Sequence, residues 1–97
     1  MIDPEIHLSD CFVPAPRVMS RELDGEAVLL DLASGRYFGL NPTGRRIWEL
    51  LAPGRSLESV LDRLEAEFDA PRLALEADLV ELVGQLESAR LVLRTSP

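Results

Sequence analysis

The sequence predicts an α+β domain in which a three-stranded antiparallel sheet comes first and three helices follow. Three observations carry that prediction. Between Arg17 and Leu40, strand-length stretches are broken by Asp24-Gly25 and Ser34-Gly35, both strong tight-turn pairs. After Asn41-Pro42 the apolar residues stop alternating and recur with a period of about 3.6. Pro53-Gly54 and the run Asp69 to Pro71 then divide the remainder into three amphipathic segments.

Residues 1–16 contain Pro4, Pro14 and Pro16 and read as an extended, partly tethered N-terminal arm, leaving 17–94 as the domain proper. VMSREL is the first strand and EAVLLDL the second, with Val28, Leu30 and Leu32 read as its apolar face. RYFGL is the third. If Phe38 and Leu40 face the helices, Tyr37 faces outward beside Leu29. Asn41 is a good N-cap, and Pro42 suits the first helical position, where its missing N–H costs nothing. The first helix buries Ile47, Leu50 and Leu51, with Trp48 on a flank. Ser56 caps the second, whose Leu57, Val60, Leu61, Leu64 and Phe68 share a face. The third runs from about Arg72 to Ala89, with Leu75, Leu79, Leu82, Val83 and Leu86 as its core stripe. LVLR at 91–94 adds a short final strand. The whole is winged helix-turn-helix-like, with the wing placed first.

Size and composition exclude much. A chain of 97 residues builds one modest core and no deep cleft between lobes. The net charge of −7, with arginine supplying every basic residue, disfavours binding to phosphate backbones. The first residues, MIDPEIHLSD, carry no signal-peptide pattern, and no window approaches the roughly 20 apolar residues of a membrane span. A cytoplasmic monomer without a membrane partner is expected.

No catalytic constellation emerges. The single histidine, His7, sits in the proline-flanked arm, and Cys11 has no folded histidine partner. His7 and Cys11 alone cannot complete a structural zinc site, so no metal or other cofactor is expected. The carboxylates of the second and third helices complement the apolar stripes and read as a solvated face. GLNPTG lacks the Gly-Lys-Ser/Thr ending of a phosphate loop. Arg45 and Arg46, at a helix start, suit phosphate contacts. The third helix, however, presents Glu76, Asp78, Glu81 and Glu87 where a groove reader needs Arg, Lys, Asn or Gln. An acidic winged-helix DNA-binding regulator and an adaptor binding only a partner protein are the alternatives to a peptide binder. The strand RYFGL raises that third possibility, because an uncovered edge beside an apolar helix flank is what β-strand addition uses.

From Asp24 to Leu51, and again from Leu57 to Val92, the sequence resembles the PqqD-like family. The passage running from the third strand through Leu40-Asn41-Pro42, Gly44 and Ile47-Trp48 is its most specific part. Ala89-Arg90 departs from the pattern, since many relatives have glycine before the Leu-Val pair. The resemblance implies a non-enzymatic recognition element for ribosomally made precursor peptides. Such a domain binds the leader segment as an extra strand and presents the peptide to a separate modifying enzyme. Relatives serve radical-SAM enzymes, as in pyrroloquinoline quinone biosynthesis, or leader peptidases, as in lasso-peptide pathways. Carried over by position, the binding strand is Arg36, Tyr37, Phe38, Gly39 and Leu40, and the helical wall draws on Leu79, Val80, Val83, Gly84 and Glu87. Gly84 there would let a second backbone approach closely.

Overall fold

The computed structural model describes residues 6–95; Pro4 and the start of the expected arm lie outside them. The described elements are β1 (Cys11–Pro14), β2 (Val18–Leu23), β3 (Glu26–Asp31), β4 (Tyr37–Leu40), α1 (Pro42–Leu51), α2 (Leu57–Glu67), α3 (Arg72–Ser88) and β5 (Val92–Thr95). They form an antiparallel sheet in the order β2-β3-β4, three helices, and a second small sheet in which β1 pairs with β5. Among the described residues no helix is long and apolar enough to cross a membrane.

Local chemistry explains the boundaries. Asp24 and Gly25 both have positive φ (52° and 82°), the signature of a two-residue hairpin turn that matches strand twist. In the next connection Ser34 Oγ donates to Asp31 Oδ2 (2.9 Å) and the Ala33 N–H donates to Asp31 Oδ1 (3.0 Å). These bonds, that from Ser34 foremost, hold the Asp31 carboxyl below its usual range. Asn41 Oδ1 accepts from the Gly44 N–H (2.8 Å) to start α1, and Ser56 Oγ accepts from Ser59 (3.2 Å) to start α2. At the end of α3, Leu91 N–H reaches the Leu86 carbonyl (2.9 Å) and Arg90 N–H the Glu87 carbonyl (3.0 Å), a Schellman closure. That closure places Arg90 at φ 62°, where glycine is the unstrained residue. Arg90→Gly is therefore expected to stabilise the fold by about 1 kcal/mol, read as a higher denaturation midpoint.

Three expectations are corrected by the packing. The apolar face of β3 is inverted: Leu29 (0% exposed) and Ala27 point into the core, while Leu32 is exposed and Val28 and Leu30 are only half-buried. Leu29 stands opposite Phe38, and Leu30 is Tyr37's neighbour. Periodicity could not phase this strand because both of its faces are apolar; the register with β4 does. Trp48, expected on a flank of the first helix, is buried in the core. Finally, the expected arm is held down along its described length. Residues 11–14 are strand β1, Phe12 is fully buried, and Ile6 and Leu8 pack on the same core. The prolines permit this because a two-stranded sheet has only edges, and Pro14 ends its strand opposite Val92.

The arm also completes α2. Leu57 N–H donates to the Asp10 carbonyl (2.9 Å) and Glu58 N–H to the Leu8 carbonyl (2.8 Å), satisfying first-turn donors that have no partner within the helix. Arg94 of β5 bridges Asp10 and Glu87 and lies 4.9 Å from the centre of the Phe12 ring. The His7 N–H, followed by Arg94, keeps the Asp10 carboxyl below its ordinary value.

Candidate functional site

β4 is the terminal strand of its sheet, and among the described residues nothing pairs with its outer edge. Asp31 N–H donates to the Arg36 carbonyl (2.9 Å), which fixes the phase of the β3–β4 ladder. By alternation along an antiparallel pair, Phe38 and Leu40 exchange main-chain bonds with Leu29 and Ala27. The main-chain groups of Tyr37 and Gly39 therefore point away from β3 to the open edge. Unpaired donors and acceptors on such an edge would invite aggregation if they stood in the open. Here they border a groove of about 340 Å³ whose far wall is α3.

Phe38, Gly39 and Leu40 line this groove from the strand, Asn41, Thr43, Gly44 and Ile47 from the start of α1, and Asp78, Glu81, Leu82 and Gln85 from α3. The Asn41 cap bond and the close approach behind Gly44 fix the junction between strand and helix. A Cβ at Gly44 would lie 3.2 Å from Asn41 Oδ1 and 3.4 Å from Leu40 Cδ2. Gly39 is different: a Cβ there would meet nothing within 4 Å, on the sheet face it shares with Tyr37.

The strand residues expected at the site divide in two. Phe38, Gly39 and Leu40 line the groove. Tyr37, 74% exposed, lies on the opposite face of the sheet with Met19, Leu23, Val28 and Leu30, and Arg36 is exposed just ahead of the strand. The five residues expected from the third helix are distributed over other faces. Leu79 and Val83 are 0% exposed and belong to the core beneath the groove. Val80, Gly84 and Glu87 lie on the far flank, where a separate cavity opens beside Ile6. A Cβ on Gly84 would meet Ile6 Cδ1 at 3.6 Å, so its short side is turned to the N-terminal segment. Glu87 is engaged by Arg94.

Helical geometry accounts for the difference. Successive residues are about 100° apart, so a buried stripe of Leu75, Leu79, Val83 and Leu86 has two flanks, and Asp78, Leu82 and Gln85 form the one toward β4. The sequence contains the stripe but not the side on which the sheet packs. Because Val83 is core, Val83→Asp would place a carboxylate in an apolar interior. It is expected to unfold the domain rather than only weaken binding, which loss of the cooperative thermal transition would reveal.

The electrostatics of the surroundings argue against a phosphate ligand. Arg46 forms a bidentate pair with Glu67, Nε to Oε1 and Nη2 to Oε2 both at 2.7 Å, and adds Glu49 at 3.1 Å. Glu67 foremost, then Glu49, raises the Arg46 guanidinium above its ordinary value, and Arg46 depresses the Glu67 carboxyl. Arg45 is engaged by Glu22, Glu49 and the Gly25 carbonyl. These two arginines fasten α1 to α2 and to the β2–β3 turn. Among the described residues no group of acidic, histidine or cysteine side chains is arranged to hold a metal ion, and Cys11 is a buried free thiol.

The model of a protein family described as coenzyme PQQ synthesis protein D (PqqD) matches residues 26–92. The chain belongs to the PqqD family. That match takes in β3, β4, all three helices and the first residue of β5, and so the whole groove. Two solved structures extend the likeness of this PqqD-family chain toward its N-terminal segment. One is TbiB1 in complex with the TbiA(beta) leader peptide: 35% identical, TM-score 0.78, covering 88% of this chain and 99% of that one. The other is a lasso peptide synthetase B1 complexed with its leader peptide: 33% identical, TM-score 0.76, covering 84% and 96%. No curated protein sequence matches.

Proposed function

We propose that this chain binds the leader segment of a ribosomally synthesised precursor peptide as an added strand on β4. It then presents the peptide to a separate modifying enzyme or leader peptidase, performing no chemistry itself. The observation that carries the reading is the open edge of β4 alongside a groove, in a chain whose similar solved structures are complexes with leader peptides.

The forces divide the work. Main-chain bonds from Tyr37 and Gly39 supply register without reading sequence, and leader side chains entering the groove between Phe38, Leu40, Ile47 and Leu82 supply specificity. A leader that is disordered when free loses roughly 2–5 kcal/mol on ordering, so affinity depends on a few apolar anchors more than on contact area. Titrating the labelled chain with the leader encoded by the neighbouring precursor gene is expected to shift backbone amide NMR signals of residues 37–40 and of Asp78 to Gln85. Unmoved signals there, together with salt-dependent shifts on adding duplex DNA, would exclude the reading.

A further inference from the structure

Groove and strand edge say where a peptide lies; the charges around them say what kind. Asp78 and Glu81 both line the groove, one turn apart on α3, and both are exposed. Neither makes a hydrogen bond or ion pair among the described residues, and no arginine lines the groove with them. Arg45, Arg46, Arg72 and Arg94 are committed away from the groove, where between them they engage Asp10, Glu22, Glu49, Asp62, Glu65, Glu67 and Glu87. Asp78 opens on the β4 groove, and Glu81 stands on the ridge between that groove and the cavity beside Ile6. Between the two carboxylates and the strand lies an apolar floor of Phe38, Leu40, Ile47 and Leu82.

We infer that the leader accepted here combines, on its groove-facing side, an apolar residue with a lysine or arginine two positions away. The inference rests on the leader-binding reading above and adds the chemistry of the ligand. In an added strand every second side chain faces the groove, and such neighbours are about 6.6 Å apart. An apolar side chain seated on the floor thus leaves the next groove-facing residue within reach of the α3 rim. A long basic side chain suits both parts, since its methylene stem covers apolar surface while its head stays at the wet edge. Asp78 and Glu81 receive that head. A glutamate at the same position would face two like charges in a groove without a cation, so the rim also rejects acidic segments.

The test uses the full chain and a displayed library of random short peptides, with binders also followed by the NMR shifts of residues 37–40. Peptides that shift those residues are expected to be enriched in Lys or Arg two positions from an apolar residue. The enrichment should disappear when selection is repeated on the double variant Asp78→Asn, Glu81→Gln. A selected peptide is expected to bind that variant about five-fold or more weakly, with less dependence on salt. Glu76→Gln removes the same kind of charge from α3 outside the groove lining and should leave affinity unchanged, which separates a local rim from the general field of an acidic protein. Both substituted carboxylates are exposed, and an unchanged melting temperature verifies the fold. Groove-binding peptides with no basic enrichment, equal selection by the double variant, or an equal loss in Glu76→Gln would overturn the inference and leave leader binding standing. A library yielding no peptide that shifts residues 37–40 would overturn both.

Discussion

Gly39→Pro is expected to abolish leader binding while leaving the domain folded. Proline removes one main-chain donor and fills the space beside it with a ring. Inside a sheet that would break the ladder, but the Gly39 N–H points away from β3, so the ladder loses nothing. Phe38, the preceding residue, is already extended, as a residue before proline prefers to be. A Cβ added at Gly39 meets nothing within 4 Å, so that side of the ring is accommodated. The incoming strand, by contrast, loses a hydrogen bond and meets the ring where its own backbone must lie. A loss of at least ten-fold is expected by calorimetric titration, with an unchanged thermal transition. Gly39→Ala keeps the donor and is expected to bind within about two-fold of the parent. Tight binding by Gly39→Pro would show that the leader does not use this edge.

Phe12→Ala is the corresponding experiment for stability. Phe12 lies in a segment with the composition of a tail, yet it is 0% exposed and sits in the main core. Emptying such a site costs about 3–5 kcal/mol, and loss of the Arg94 contact over the ring adds about 0.5–1 kcal/mol. Small domains have a total stability of roughly 5–15 kcal/mol, so the variant should populate unfolded chains well below the parent's melting temperature. Chemical denaturation measures this directly. A midpoint equal to the parent's would mean that the N-terminal segment is dispensable and that residues 17–94 suffice. Phe12→Leu fills much of the space and should recover most of the loss.

The two substitutions also mark where sequence reasoning works and where it stops. Turn and cap chemistry is local: Asp24-Gly25 specifies a hairpin turn and Asn41-Pro42 a helix start whatever lies beyond them, and both are found where the sequence places them. Periodicity is also local, and it marks the buried stripe of α3 correctly. It carries no information on which element covers which flank, so Asp78 and Glu81 were read as part of a solvated face while Val80 and Gly84 were expected at the groove wall. Segments with two apolar faces defeat it as well, and β3 came out inverted for that reason. The pairing of β1 with β5 is invisible for a further one: each strand is four residues long, and although LVLR reads as a strand, nothing local names its partner.

That pairing sets the tempo of folding. Cys11 stands opposite Thr95 and Pro14 opposite Val92, so the two-stranded sheet joins segments separated by nearly the whole described chain. Closing so long a loop is entropically costly and gains nothing until both strands are present. The β2–β3–β4 meander and the helical hairpin of α2 and α3 need only near neighbours and can form earlier. During synthesis Phe12 is made before every helix it packs with, and it waits for the last strand before its own strand is paired. For that interval the chain exposes an apolar ring and an unpaired β1, and it is then, rather than in the finished domain, that it is most vulnerable to aggregation.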